Sequence, residues 1–231
     1  MKTRIVALSV LALVLVLLPA VPLVPVGAAA PLPAAPAAGA APQAGLSMVT
    51  QFGGPIYQSA VVGHLLYFGG GTRLAIMDIA TPTAPVLLGQ SADLGGDVGG
   101  MAVSGNYAFV AVDSAGIAVL DVSDPAHPAR VAGYDEELYS CNQITLHESH
   151  AYLAAGYTGL LVLDITDPLA PVETSIYTTT SYVSSVVISG TTAYVGASDA
   201  GLHMLNVADP ALPDVLGVYA ANLSIQDVEE R

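Results

Sequence analysis

An all-β fold, a propeller built from four-stranded antiparallel blades, is predicted by three features: a segment written four times at nearly constant spacing, apolar runs of strand length within each copy, and turn residues recurring between them. The copies are LAIMDIATPTAP from Leu74, IAVLDVSDPAHP from Ile117, LLVLDITDPLAP from Leu160 and LHMLNVADPALP from Leu202. Their fifth residues, Asp78, Asp121, Asp164 and Asn206, are spaced by 43, 43 and 42 positions. Tyr67, Phe109, Tyr152 and Tyr194 keep the same beat, each inside a short apolar run.

Each unit holds about four runs of roughly six residues rich in Val, Ile, Leu and Tyr, the length of ordinary strands. In the fourth unit the strands are expected at 183–189, 192–197, 201–207 and 213–219. SGN at 104–106 and SGT at 189–191 supply the turn between first and second strands. Gly116, Gly159 and Gly201 open the third strand after a tight turn, where glycine tolerates positive φ. Pro82, Pro125, Pro168 and Pro210 cannot donate to a ladder and so fall in the connection to the fourth strand or at its edge. Four strands per repeat of some 42 residues is the arithmetic of a propeller blade.

The chain divides into three parts. MKTR followed by the apolar run 5–18, Pro19 and a small-residue stretch reads as a signal peptide over residues 1–28, with cleavage after Ala28 or Ala29. The alternative is an uncleaved membrane anchor over Ile5–Val26, the sole route to a membrane in this sequence. Residues 29–46 are an Ala/Pro-rich linker lacking large side chains to bury. Residues 47–231 carry the repeats, in units of about 57–90, 98–134, 141–177 and 183–219 with a partial unit at 224–231. MVTQF at 48–52 reads as the outer strand of a further blade. Four complete repeats with partial strands at both ends predict an incomplete or open propeller, a truncated fragment without independent function being one reading of it. Open strand edges would favour self-association.

The segments LAIMD, IAVLD, LLVLD and LHMLN, each followed by D-P or T-P and a second proline, resemble the LVIVD repeat, a bacterial propeller-type repeat of exported or cell-surface proteins. The resemblance covers residues 48–231. It implies a blade architecture and a secreted or cell-surface location, and it carries over no catalytic residues, because what the family shares is the blade.

Composition narrows the function. A net charge of −14, with Arg73, Arg130 and Arg231 the sole cations beyond the leader against 19 acidic residues, repels phosphate backbones and excludes nucleic-acid binding. The lone Cys141 forms no internal disulfide and reads as a small buried hydrophobe. The Asp of each repeated segment reads as an Asx-turn residue that caps local N–H groups, which explains why Asn206 can stand in its place. No D-x-D-x-D-G run exists, so calcium would bind only weakly, between neighbouring acidic loops. His147 and His150 flank the turn at Glu148 and Ser149. Two imidazoles and a carboxylate suit zinc, yet the fourth unit has Ser189 and Thr192 there, and no metal is assigned. G-x-S-x-G, H-E-x-x-H, phosphate-loop and dinucleotide signatures are all missing, so no catalytic residues are assigned.

Binding remains. The first strand of each blade should line a central channel, with Gln58, Gly100, Gln143, Ser185 and Asp227 at stacked positions. The connections leading into those strands bring Asp93, Asp97, Asp135, Glu136, Glu137, Tyr139, Asn142, Tyr177 and Tyr182 to one face. The expected ligand-binding set is Asp93, Asp97, Asp135, Glu136, Glu137, Tyr139, Asn142, Gln143, Ser185 and Asp227, on a scaffold that binds an extracellular protein or glycan. The competing expectation is an extracellular hydrolase or carbohydrate-active enzyme, which would need paired carboxylates in a cleft.

Overall fold

The computed structural model describes residues 58–113, 115–134 and 140–219, together with 225, 227 and 228. The expected signal peptide, the expected linker and the segment at 48–52 lie outside the described residues. Among those described, sixteen strands form four sheets of four, and no helix is present that is long and apolar enough to cross a membrane.

Unit 1 comprises β1 (Ser59–Val62), β2 (Leu65–Gly70), β3 (Arg73–Asp78) and β4 (Val86–Gln90). Unit 2 comprises β5 (Val98–Ser104), β6 (Tyr107–Val112), β7 (Gly116–Asp121) and β8 (Ala129–Tyr134). Unit 3 has β9 (Gln143–His147), β10 (His150–Ala154), β11 (Leu160–Asp164) and β12 (Val172–Tyr177), and unit 4 has β13 (Ser185–Ser189), β14 (Thr192–Ala197), β15 (Gly201–Asn206) and β16 (Asp214–Tyr219). In every sheet the spatial order is the chain order and all neighbours are antiparallel. The strands expected for the fourth unit fall within two residues of β13 to β16.

The middle strands of units 2 and 3 read as unbroken apolar runs because both of their faces are covered, so alternation disappears there, whereas it persists in part of unit 4. Ala108–Val112 and Gly116–Leu120 are buried throughout. The outer strands β4, β8, β12 and β16 are largely exposed. All four units shift register at one equivalent place between third and fourth strands, at Ile76/Met77, Val119/Leu120, Val162/Leu163 and Met204/Leu205. A bulge there frees the outer strand to twist away from the sheet.

The core lies between units rather than within them. One set of alternate side chains, Tyr67, Leu74 and Ile76, packs on Ala108, Val110 and Leu120 of unit 2. Phe109, Ile117 and Val119 meet Leu153, Leu161 and Leu163 of unit 3 in the same way. Tyr152, Leu160 and Val162 meet Ala193, Val195 and Leu205 of unit 4. The 42–43-residue beat of Tyr67, Phe109 and Tyr152 is therefore the beat of the interface.

The inner strands adjoin in series, β1 with β5, β5 with β9 and β9 with β13. Polar stitches cross these contacts: Gln58 Oε1 accepts from Met101 N at 2.7 Å, Gln143 Oε1 from Val186 N at 2.9 Å, and Thr145 Oγ1 donates to the Val186 carbonyl at 2.8 Å. A fully buried Val, Leu, Ile or Phe is worth about 1.5–3 kcal/mol, against roughly 0.5–1.5 kcal/mol net for a hydrogen bond. The apolar pattern thus drives the units together and the stitches fix their register.

The turn between second and third strands of one unit also holds the chain leading into the next. Val98 N donates to the Gly71 carbonyl at 2.9 Å. Gly156 and Val183 exchange bonds of 3.1 and 2.9 Å, and Ser198 and Ile225 of 3.1 and 3.2 Å. Ile225 is buried, as Val98, Cys141 and Val183 are at 42–43-residue intervals before it.

The opposite rim carries the Asx turns. Asp78, Asp121, Asp164 and Asn206 each accept, through Oδ1, from the backbone N–H two residues on, at 2.8, 2.9, 2.8 and 3.1 Å. Asp124, Asp167 and Asp209 repeat the bond one turn later, at 3.0 Å in each case. The Ser123 and Thr166 hydroxyls, followed by their backbone N–H groups, hold the Asp121 and Asp164 carboxyls below the ordinary range.

Candidate functional site

The inter-unit connections and the turns between second and third strands share one face. Of the residues expected to bind there, Asp135, Glu136, Glu137 and Tyr139 lie outside the described residues. Asp93 is exposed, and its Oδ1 accepts from Gly95 N at 2.9 Å. That bond, and then the Thr72 hydroxyl, hold its carboxyl below the ordinary range. Asp97 is exposed beside it, in the connection between units 1 and 2, and Asp227 is exposed at the far end of the chain. Among the described residues no three His, Cys, Asp or Glu groups come together as a metal site. His147 and His150 are direct cross-strand partners, with Asp164 paired to His150 on its other side.

Gln143 and Ser185 occupy inner-strand positions, where their side chains are engaged or covered. Gln143 makes the stitch to Val186 N. Ser185 is 2% exposed and its Oγ has no hydrogen-bond partner among the described residues.

Asn142 belongs to a cluster that draws three separate connections together. Its Nδ2 donates to the Tyr182 hydroxyl at 2.8 Å, its Oδ1 accepts from Ser140 Oγ at 3.1 Å, and Ser140 Oγ lies 2.6 Å from the Tyr182 hydroxyl. The Tyr182 ring meets Tyr157 edge to face, with centroids 5.1 Å apart and planes at 84°. Gly156 makes this approach feasible, since a Cβ there would lie 2.9 Å from the Tyr182 ring. Tyr157 remains 73% exposed. The cluster is held by bonds between units 3 and 4, so the aromatic edge it presents is preorganised.

On the other side of the 178–184 connection is a shallow, open depression of about 480 Å³, lined by Tyr177, Thr178, Thr179, Thr180, Asp199 and His203 among others. Thr178, Thr180 and Asp199 are exposed. His203 is 8% exposed, and its Nδ1 lies 2.8 Å from the Tyr177 hydroxyl while Nε2 has no hydrogen-bond partner among the described residues. Burial lowers the pKa of this imidazole, and the Ala200 backbone offsets the effect only in part. A histidine neutral in the fold and free to charge when unfolded binds more protons in the unfolded state. Its contribution is whole above about pH 6.5 and declines as pH falls from there towards the lower folded value. The melting temperature should therefore drop on mild acidification, before the carboxylates titrate, and His203→Ala should flatten that drop in a pH series of thermal melts.

Tyr157, Ser140, Asp199 and His203 were not among the expected site residues. His203 did have a signal: the equivalent residues are Ala75, Ala118 and Leu161, so a polar side chain stands where the pattern calls for a core methyl. Tyr157 and Asp199 occupy equivalent turn positions that carry no motif. Cys141 is buried at the start of unit 3, where desolvation pushes its thiol up to about 12, only partly opposed by the Gln143 backbone. A thiolate is the reactive form, so Cys141 should resist thiol-specific reagents at neutral pH in the folded protein and react stoichiometrically once denatured.

The sequence profile of the family described as LVIVD repeat matches residues 58–93, 95–136, 140–179 and 181–221. Among solved structures, the chain is similar to the computationally designed protein Ika8, at 13% identity and a TM-score of 0.62, over 76% of this chain and 52% of that one. It is similar to the computationally designed Ika4 at 13% identity and a TM-score of 0.57, over 69% and 98%. A third likeness is to the periplasmic gluconolactonase PpgL of Pseudomonas aeruginosa, at 13% identity and a TM-score of 0.58, over 68% and 54%. The chain thus spans about half the length of Ika8 and of the gluconolactonase, and at this identity the likeness concerns the fold. No curated protein matches the sequence.

Proposed function

We propose, from the premise that this chain belongs to the LVIVD repeat family, that it is a non-catalytic binding module working outside the cytoplasm, with its ligand contacts on the face shared by the inter-unit connections of units 3 and 4. The observation that carries the reading is the Ser140–Asn142–Tyr182 network, which fixes an outward-facing Tyr157 against Tyr182. Apart from Tyr157 itself these groups are tied to one another, an arrangement that suits holding a surface still rather than moving protons. The strongly apolar leader and the negative charge support work at the cell envelope.

The test pairs binding with turnover. Wild-type chain is expected to be retained on immobilised cell-envelope polysaccharide or envelope protein, to lose most of that retention in Tyr157→Ala, and to hydrolyse neither chromogenic glycosides nor lactones. Turnover that disappears in Asp93→Asn or Asp199→Asn would replace this reading with an enzymatic one. Retention unaffected by Tyr157→Ala would move the contact surface elsewhere.

A further inference from the structure

We infer that the depression between Tyr177, Thr180, Asp199 and His203, together with the adjoining Tyr157 ring, is a binding site for a neutral saccharide; this rests on the binding-module reading and names its ligand class.

The chemistry of the lining narrows the ligand class. Its one formal charge is the Asp199 carboxylate, on a chain of net charge −14, so anionic ligands such as phosphates and uronic acids are repelled. The remaining polar atoms are hydroxyls and an imidazole. The exposed Thr178 and Thr180 hydroxyls can each donate and accept, while Thr179 Oγ1 already donates to the Ser181 carbonyl. A ligand rich in hydroxyls matches such mixed donor-acceptor groups, and a carboxylate accepting from two neighbouring hydroxyls gives the stronger, charge-assisted bonds. A purely apolar ligand would leave them unpaired at a cost.

The aromatic part points the same way. Tyr157 and Asp199 are equivalent residues of successive units, and the 178–184 connection supplies both the threonines of the depression and Tyr182, whose ring meets Tyr157. In the proposed mode one sugar ring occupies the depression and a further ring lays its C–H face against Tyr157, whose own plane is set by the edge-to-face contact with Tyr182. The volume of about 480 Å³ lies within the range of small-ligand sites. His203 has a place in this scheme as well. Its bond to the Tyr177 hydroxyl at 2.8 Å orients one of the residues that line the site, which gives a reason for a histidine where units 1, 2 and 3 have Ala75, Ala118 and Leu161.

The test uses the full, isotope-labelled chain titrated separately with cellotetraose, maltotetraose, chitotetraose and galactotetraose, with oligogalacturonate and spermidine as charged probes. At least one neutral oligosaccharide should produce saturable shifts in the amides of Thr178–Thr180 and Asp199. Tyr157→Ala and Asp199→Asn, both at exposed side chains and so expected to melt as wild type, should each weaken that binding at least about tenfold. Saturation by spermidine or oligogalacturonate alone, or neutral-sugar shifts confined to other parts of the chain, would overturn the assignment. If no sugar titrates while envelope retention still depends on Tyr157, the saccharide class falls and the binding face stands. If both fail, so does the functional reading.

Discussion

Phe109→Ala is expected to remove about 3–5 kcal/mol of folding free energy and to lower the melting temperature by roughly 10 °C or more for a domain of this size. Phe109 is 2% exposed and packs among Ile117 and Val119 of its own unit and Leu153, Leu161 and Leu163 of the next. Truncation removes a ring from an interface whose walls are strands hydrogen-bonded on both sides, so little collapse can fill the void. The loss is felt by two units at once, because the cavity opens between them. Calorimetry on Phe109→Ala beside Tyr157→Ala distinguishes packing from surface: the second should melt within a degree or two of wild type. Similar melting of the two variants would refute the placement of the core between the units.

The second large effect is expected at Gly159, where alanine should cost about 3 kcal/mol, combining backbone strain of order 1–3 kcal/mol with a steric clash. Gly159 has φ +108, and a Cβ there would lie 2.2 Å from the Tyr177 carbonyl oxygen and 3.1 Å from Thr178 Cα. Neither neighbour is a side-chain tip that can swing aside. Tyr177 is the register partner of Leu160 in the β11–β12 pair, so relief requires moving the end of β12. That movement would carry the Tyr177 hydroxyl away from His203. Chemical denaturation reports the stability loss, and amide shifts confined to 177–180 and 199–203 in the folded variant would trace the displacement into the depression. A variant as stable as wild type would show that the turn relaxes in a way these contacts forbid.

Much of this architecture was legible because it depends on residue classes at a fixed interval. Leu74, Ile117, Leu160 and Leu202 announce the third strands, and Asp78, Asp121, Asp164 and Asn206 announce where those strands end, since an Asx turn needs an acceptor oxygen at one backbone position and nothing else. Legibility stopped where function depends on differences among the units. Gln58 and Gln143 were expected at the inner strand, but that their amides bond the next unit's backbone is a matter of rotamer and distance, which no spacing encodes. Asn142 was expected at the contact face, whereas Ser140 and Tyr157 acquire meaning only once Tyr182 is folded against them from the following inter-unit connection. His203 was visible as an exception to the pattern and could not be interpreted until Tyr177 was placed beside it.

The tandem turns on the opposite rim have one more implication. Asp78, Asp121, Asp124, Asp164, Asp167 and Asp209 each spend an oxygen on a backbone N–H, yet Asn206 does the same work uncharged. Folding asks these positions for a lone pair, which an amide can supply, although the lowered Asp121 and Asp164 carboxyls show that the turn favours the ionised form where an Asp is present. The negative charge they bring is not required at every turn, and it forms a like-charged collar at the strand ends whose further effect is colloidal: it discourages neighbouring molecules from stacking rim to rim.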